Sequence, residues 1–205
     1  TANNENYTFD AVLYATGRKP NTANIGLENT DITTNERGAI VVNDTCESSV
    51  PGVYAVGDVN GGPQFTYISL DDFRIVFGAL TGNGQYTLKD RKNIPYTTFL
   101  TPPLARVGLT EEDAINKGYT VKTKEMLVAT MPRAHVNDYL KGAFKIVVNA
   151  DNDLILGATL YSQGAEELIN LIKMAMDNNI PYTYFKNQIF THPTMAENLN
   201  DLCNF

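Results

Sequence analysis

The sequence lacks several features that would mark a membrane, secreted or nucleic-acid-binding protein. It has no apolar run near the ~20 residues that span a bilayer, and its start, TANNENYTFD, lacks the basic-then-apolar order of a signal peptide. Cationic side chains are few, with 16 Lys and Arg against 23 Asp and Glu and a net charge of -7, which disfavours binding to phosphate backbones. Its two cysteines, Cys46 and Cys203, form no C-x-x-C pair and fit a reducing compartment. We therefore expect a soluble cytoplasmic protein with neither membrane nor nucleic acid as a partner.

Other absences concern chemistry and chain extent. The sequence contains no cluster of metal-ligating residues, so no metal site is predicted, and no Ser/His/Asp constellation or G-x-x-x-x-G-K-[ST] loop. It has no initiator methionine and runs at once into an interior-looking strand. We therefore expect this chain to be a piece of a longer protein.

The first part of the chain alternates short apolar runs with turns. Apolar and β-branched residues predict strands at 11–15, 39–42 and 53–56, and the last of these stops at Gly57-Asp58. Helical spacing from Ile68 to Leu80 predicts a helix that ends in the TGNG run, 81–84. A strand, a glycine-rich loop and a helix thus follow one another.

The second part has a different pattern. LTEEDAINKG predicts a short helix that begins after Thr110 and stops at Gly118. GAFKIVVNA and LILGATLYS predict antiparallel strands joined by a turn at 151–153. AEELINLIKMAMDNN predicts an amphipathic helix, with further helices starting at Pro181 and after Pro193. Consecutive strands followed by helices indicate an α+β unit.

The run YAVGDVNGG offers a carboxylate, Asp58, after a strand and Gly57. The carboxylate can bind sugar hydroxyls, and exposed backbone N–H groups can bind a pyrophosphate. The helix that begins near Gln64, Phe65 and Thr66 would present a positive dipole end to an electron-rich ring edge. An ordinary strand-ending turn explains Gly57-Asp58 equally well on local pattern.

The run ATGRKPNT has a similar ambiguity. Gly17 permits close backbone approach to a ligand, and Arg18 could meet a phosphate or carboxylate. Gly, Pro and Asn are also simple turn formers, and on residue chemistry alone the turn is the better interpretation.

The run FTHPTMAENLNDL places His192 five residues before Glu197. Histidine is the natural proton carrier near neutral pH, and a carboxylate can orient its ring and stabilise the imidazolium. Alternatively, Thr194 and Glu197 match a helix capping box, which explains the glutamate without chemistry. The second histidine, His135, is predicted to lie in a loop.

Four runs in this order, ATGRKPNT, SSVPGVYAVGDVNG, TPPLARVGLTEEDA and THPTMAE, resemble the pyridine nucleotide-disulfide oxidoreductases, the family of lipoamide dehydrogenase and glutathione reductase. The resemblance covers nearly the whole chain. It implies FAD and NAD(P)H as cofactors, a homodimer, and a disulfide or small-molecule oxidant as substrate. It also implies that residues 1–20 end the NAD(P)-binding domain, 21–92 form the C-terminal half of an α/β FAD-binding domain, and 93–205 form an α+β dimerisation domain.

The resemblance assigns roles to particular residues. Asp58, after Gly57, would bind the ribityl chain of FAD, Gln64, Phe65 and Thr66 would face its ring system, and Gly17 would lie near the nicotinamide nucleotide. His192 and Glu197 match the family's His-Glu pair, which moves a proton to and from a dithiol in the other subunit.

Three motifs of that family are missing from this sequence. The G-x-G-x-x-G that holds the adenine end of FAD and the redox-active C-x-x-x-x-C are both absent, as is the NAD(P) fingerprint. We therefore expect that this chain alone neither holds FAD tightly nor turns over.

The run GGPQFTYISLDDFRIV most resembles the bacterial reactive-chlorine-resistance flavoproteins, whose reported activities include reduction of hypothiocyanous acid. Mercuric reductases differ, because they typically have tyrosine in place of His192 and end in adjacent cysteines. Dihydrolipoamide dehydrogenase and a non-catalytic dimerisation module remain alternatives.

Overall fold

A computed structural model describes residues 5–205. The chain divides into two compact units, with the boundary between Asp90 and Arg91. Within the described residues, no helix combines the length and the apolar character needed to cross a bilayer.

The first unit is built around one long helix, α1, Thr66–Thr81. Its buried face carries Ile68, Asp72 and Ile75, which recur at the i, i+4, i+7 spacing of a single helix face. The helix ends where Gly82 adopts φ 74, as the TGNG run predicted. The remaining helical segments among residues 5–90 are 3-10 turns at Leu27–Asn29, Gly57–Asn60 and Leu88–Asp90.

The three strands predicted for this unit are wrong. The run 11–15 is exposed and forms no ladder, while 39–42 and 53–56 each contribute only an isolated bridge, Thr34↔Ile40 and Glu47↔Tyr54. An apolar run becomes a strand only when a neighbouring segment takes up its N–H and C=O groups. Within residues 5–90, the predicted runs meet neighbouring segments only through single backbone hydrogen bonds and isolated bridges, and no segment pairs with them over several residues.

The second unit contains a five-stranded antiparallel sheet. Its strands are β1 Tyr96–Thr98, β2 Leu104–Gly108, β3 Val121–Leu127, β4 Ala143–Asn149 and β5 Ile155–Tyr161. They lie in the order β1-β2-β5-β4-β3. The predicted β4–β5 hairpin is confirmed, with Ala143 opposite Tyr161 and an irregularity between Val147 and Val148.

Five helices accompany the sheet: α2 Glu111–Asn116, α3 Pro132–Val136, α4 Ala165–Asp177, α5 Tyr182–Asn187 and α6 Asn198–Leu202. A 3-10 turn lies at Val128–Thr130. The predicted helices at 110–118, 165–179 and Pro181 are confirmed, with Thr110 and Pro181 as N-caps. The last helix begins at Asn198, one turn later than the sequence predicted. His135, predicted to lie in a loop, lies in α3.

Helix α4 packs on strands β2 and β5 and encloses the core. Phe144, Ile146 and Leu160 of the sheet and Ile172 of α4 are fully buried there. Helix α6 packs against α5, β3 and β4 and adds Leu199, Leu202 and Cys203 to the same core. The mixed helix-and-sheet fold predicted from sequence is confirmed.

Candidate functional site

His192 and Glu197 lie together in the connection between α5 and α6. Nδ1 of His192 is 2.8 Å from Oε2 of Glu197. The peptide bond between His192 and Pro193 is cis. The sequence predicted that these two side chains would pair, and the structure brings them into hydrogen-bond contact.

The second oxygen of Glu197 fixes the local backbone. Oε1 accepts the N–H of Thr194 at 3.1 Å, and the hydroxyl of Thr194 accepts the N–H of Glu197 at 3.2 Å. These are the reciprocal bonds of a capping box, although the regular helix begins only at Asn198. The capping and the histidine contact, posed as alternatives by the sequence, coexist because the carboxylate uses one oxygen for each.

The environment keeps Glu197 ionised. Partial burial acts to raise its pKa, but the hydrogen bonds from His192 and from the N–H of Thr194 together outweigh it and bring the pKa below its ordinary value. An ionised carboxylate only accepts hydrogen bonds, so Nδ1 of His192 must donate. The lone pair of a neutral imidazole then lies on Nε2.

The imidazole faces outward while its carboxylate partner is sheltered. The side chain of His192 is 69% exposed and that of Glu197 is 18% exposed. Nε2 has no hydrogen-bond partner anywhere in residues 5–205. The arrangement presents an oriented basic nitrogen at the surface, which is what a proton-transferring group requires.

The pair rests on a firmly packed support. Glu197 immediately precedes α6, whose Leu199 and Leu202 are fully buried. At the other end of α6, Nζ of Lys124 donates to the carbonyl oxygens of Asp201 at 2.7 Å and Asn204 at 2.5 Å. A cation bound to terminal carbonyls satisfies groups that the helix leaves open.

In the first unit, Asp58 lies in the 3-10 turn Gly57–Asn60 before α1. Its carboxylate is 51% exposed, with Nη1 of Arg18 at 3.9 Å. The backbone carbonyl of Asp58 accepts the N–H of Gly61 at 3.2 Å. The turn therefore holds a carboxylate at the surface with its oxygens accessible.

A buried carboxylate lies beneath this turn. Oδ2 of Asp72, which is fully buried on α1, accepts the N–H of Gly57 at 2.7 Å and the amide of Asn60 at 3.0 Å. Gly57 has φ 72, and a Cβ there would lie 2.5 Å from Oγ of Ser69. The turn that carries Asp58 is thus tied closely to the helix.

The start of α1 places Gln64, Phe65 and Thr66 together. Phe65 is the N-cap and contributes no side-chain cap, and its ring stacks on Tyr67 with centroids 5.0 Å apart. The first turn of α1 has no acidic residue, whereas that of α2 has three. The positive end of the α1 dipole therefore lacks a carboxylate of its own helix.

Gly17 lies in an exposed segment without regular secondary structure. It has φ 107, and a Cβ at this position would meet no atom within 4 Å. Its predicted role near a nicotinamide nucleotide stays a prediction.

Sequence reasoning missed Asp72, Asn198 and Asn200, which hold the predicted groups in place. Asp72 had a detectable signal, because a charged residue sits between Ile68 and Ile75 on the apolar face of a predicted helix. The asparagines had none, since a polar NLND run is typical of any exposed helix.

Two protein-family models match this chain. Residues 94–203 match the pyridine nucleotide-disulphide oxidoreductase dimerisation domain, and residues 1–72 match the pyridine nucleotide-disulphide oxidoreductase model. The first match alone covers more than half of the chain.

Several curated proteins are similar to it. A probable pyridine nucleotide-disulfide oxidoreductase, RclA of Escherichia coli, is 49% identical over 193 residues, which are 94% of this chain and 44% of that protein. A mercuric reductase of Staphylococcus aureus is 37% identical over 93% of this chain and 35% of its own length. A dihydrolipoyl dehydrogenase of Thermus scotoductus is 34% identical over 95% of this chain and 42% of its own length.

A solved structure agrees with these similarities. The HOCl-induced flavoprotein disulfide reductase RclA from Escherichia coli superposes with a TM-score of 0.90 at 48% identity, covering 92% of this chain and 43% of that one. The predicted likeness to the reactive-chlorine-resistance group is thereby confirmed. The present chain spans less than half the length of these relatives. Its match to the dimerisation-domain model establishes that it belongs to the pyridine nucleotide-disulphide oxidoreductase family.

Proposed function

We propose that this chain is part of an FAD-dependent NAD(P)H oxidoreductase that reduces a disulfide or an oxidant through a cysteine pair outside the chain. The single observation that carries this proposal is the His192–Glu197 hydrogen bond of 2.8 Å, with Nε2 of the histidine directed away from it. The family match supports the reaction class. The protein is proposed to act as a cytoplasmic homodimer, with residues 93–205 as its dimerisation domain.

His192 is the proposed acid/base group. Its Nε2 accepts a proton from a thiol as the thiolate forms, and returns it when a substrate sulfur or oxygen needs protonation. The ionised Glu197 holds Nδ1–H and stabilises the imidazolium formed in between. The dithiol served by this histidine is proposed to belong to the other protomer.

The residues of the first unit fit an FAD. An exposed carboxylate at Asp58 suits ribityl hydroxyls, and the α1 terminus at Gln64, Phe65 and Thr66, lacking acidic residues in its first turn, suits an electron-rich ring edge. When bound, FAD would supply hydride acceptance from NAD(P)H and electron delivery to the disulfide. Residues 21–92 are proposed as the C-terminal half of this binding domain, and 1–20, with Gly17, as the end of the NAD(P)-binding domain.

The physiological substrate is proposed to be an oxidant of the hypothiocyanous acid type. The higher identity to RclA, at 49%, than to a dihydrolipoyl dehydrogenase, at 34%, favours this class over dihydrolipoamide. Assaying the full-length protein with each substrate separates the two.

The test of the proposal is His192→Ala in the full-length protein. We expect NAD(P)H-dependent substrate reduction to fall by about 10² to 10⁴, the usual contribution of an acid/base group. His135→Ala is the matched control, because His135 is also exposed and its Nε2 is hydrogen-bonded to the carbonyl of Ala129, away from the His192–Glu197 pair.

A second activity distinguishes loss of the acid/base group from misfolding of the variant. Reduction of a dye that takes electrons without thiols should be retained in the His192 variant. Substrate turnover within about twofold of the unmodified protein would refute the acid/base role.

A further inference from the structure

The connection that carries His192 has no regular secondary structure between α5 and α6. Such segments are ordinarily more mobile than the elements they join. Yet proton transfer requires the base to hold a narrow position, and displacement by about 1 Å can cost about 10²-fold in rate. Something must therefore fix this connection.

Asn200 holds the beginning of the connection. Its side-chain amide nitrogen lies 2.7 Å from the carbonyl oxygen of Phe185 and 2.9 Å from that of Gln188, with Lys186 further away at 3.3 Å. An amide has two hydrogens, which matches the two short contacts. Asn200 therefore ties the end of α5, and the first residue after it, to α6.

Asn198 holds the other end. This side chain is 2% exposed, and its amide nitrogen donates to the carbonyls of Thr194 at 3.2 Å and Met195 at 3.0 Å. Thr194 is the residue whose N–H binds the carboxylate of Glu197. Asn198 thus fixes the backbone that aligns Glu197.

We propose that Asn198 and Asn200 are positioning residues: by binding the two ends of the α5–α6 connection, they hold His192 and Glu197 in place. The inference rests on the proposed function, because it concerns the precision of the same proton-transferring pair. Neither asparagine touches either side chain of the pair through its amide, so each acts through the backbone.

The test replaces Asn200 by Ala in the full-length protein, and by Asp, which keeps the size but presents oxygens to the carbonyls. Each change should lower substrate turnover about tenfold. Thiol-independent dye reduction should stay unchanged, since it does not need the histidine. A merely structural role would lower both activities together.

A double-mutant cycle gives the sharper result. If Asn200 acts through His192, Asn200→Ala should cost about tenfold in the unmodified protein and almost nothing in a His192→Ala background, because coupled residues are non-additive. An equal loss in both backgrounds would overturn the inference. Unchanged turnover in the single Asn200 variant would do so too.

Asn187→Ala is the matched control. Asn187 lies at the end of α5 and its amide donates to Thr183 within the same helix, so this variant should retain full turnover. The two proposals fail differently. If His192→Ala leaves turnover intact, the proposed function fails; if His192→Ala abolishes it while the Asn200 variants do not, only the positioning role fails.

Discussion

At the scale of single residues, the turn that carries Asp58 has no room for a side chain at Gly57. Gly57 donates its N–H to the buried carboxylate of Asp72 and keeps φ 72, while a Cβ there would meet Oγ of Ser69 at 2.5 Å. Two independent penalties therefore oppose any side chain at this position. Gly82 has only the backbone penalty. Its φ is 74, but a Cβ added to it would have no atom within 4 Å.

This pair of glycines gives a matched prediction. Gly82→Ala should cost about 1 to 2 kcal/mol, the penalty for an L-residue in the left-handed region. Gly57→Ala should cost about 1 to 3 kcal/mol more, since the added methyl overlaps Ser69. Denaturant unfolding of the full-length protein, followed by circular dichroism, measures both. Equal costs at the two positions would show that the turn relaxes away from α1.

The sequence could predict the His192–Glu197 contact, because both residues fall within one short run whose spacing allows them to meet. It could not predict the groups that hold them. Asn200 binds carbonyls 12 to 15 residues earlier in the chain, and backbone acceptors carry no residue-type signal. Asp72 similarly binds an N–H 15 residues away.

At the scale of elements, α2 is a short helix held mainly at its first turn. The hydroxyl of Thr110 accepts the N–H of Asp113 at 2.9 Å, and the Asp113 carboxylate accepts the Thr110 hydroxyl and N–H in return. These bonds, led by the hydroxyl, lower the pKa of Asp113 below its ordinary 3.8. Glu111 is bound by Lys145 of β4 at 2.6 Å, which ties α2 to the sheet.

The cap predicts a pH dependence of α2. The pKa of Asp113 is lower in the folded protein than its ordinary value, so the ionised carboxylate stabilises α2 fully when the pH is above that ordinary pKa. This stabilisation is lost as the pH falls through the lowered pKa. The protection factors of the amides in residues 114–119, which are exchange rates corrected for the intrinsic pH dependence of amide exchange, should therefore fall in acid below that ordinary value. Asp113→Asn should show lowered protection factors already at neutral pH, and in acid only the further change that loss of the Glu111–Lys145 pair causes.

Glu112→Gln is the control for this experiment. Glu112 shares the first turn of α2 but makes no cap bond. Its replacement should leave both the protection factors and their acid dependence nearly unchanged. Protection factors that do not fall in acid in the unmodified protein would contradict the role given to Asp113.

Helical periodicity and capping residues predicted α1, α2 and α4 well because those signals are local. Strands β1, β2 and β3 escaped prediction. β1 has only three residues, and β3, VKTKEML, interleaves lysines with apolar residues and is stabilised by pairing with β4 more than by its own composition. The strands expected in the first unit failed for the converse reason: their composition suits a strand, but the run 11–15 has no paired neighbour and 39–42 and 53–56 form only isolated bridges.

At the scale of the whole molecule, the chain combines two units whose boundary lies between Asp90 and Arg91. The second has one buried core to which β2, β4, β5, α4 and α6 contribute, together with residues of α3, α5 and the Val128–Thr130 turn. Cys203 belongs to that core. Burial, only partly offset by Lys124, raises the pKa of its thiol to about 12, so it stays protonated at neutral pH. It is therefore unsuited to thiolate chemistry.

The final prediction concerns cofactor retention. Prepared alone, the 205-residue chain should neither retain FAD through desalting nor oxidise NAD(P)H, because the sequence lacks the family's G-x-G-x-x-G and C-x-x-x-x-C motifs. The visible absorption spectrum of the purified chain checks the first part, and NAD(P)H consumption checks the second. A yellow, flavin-loaded preparation of this chain would contradict it.

Glu197 uses one carboxylate oxygen for His192 and the other for the N–H of Thr194, and this determines which ring nitrogen of the histidine carries the hydrogen. A glutamine in its place could still accept the N–H of Thr194 through its oxygen, and so would leave the fold of the connection intact. Its nitrogen, however, would then donate to Nδ1 of His192 and force the ring hydrogen onto Nε2. The exposed Nε2 would change from a proton acceptor to a hydrogen-bond donor. The imidazole would keep its position but could no longer take a proton from a thiol.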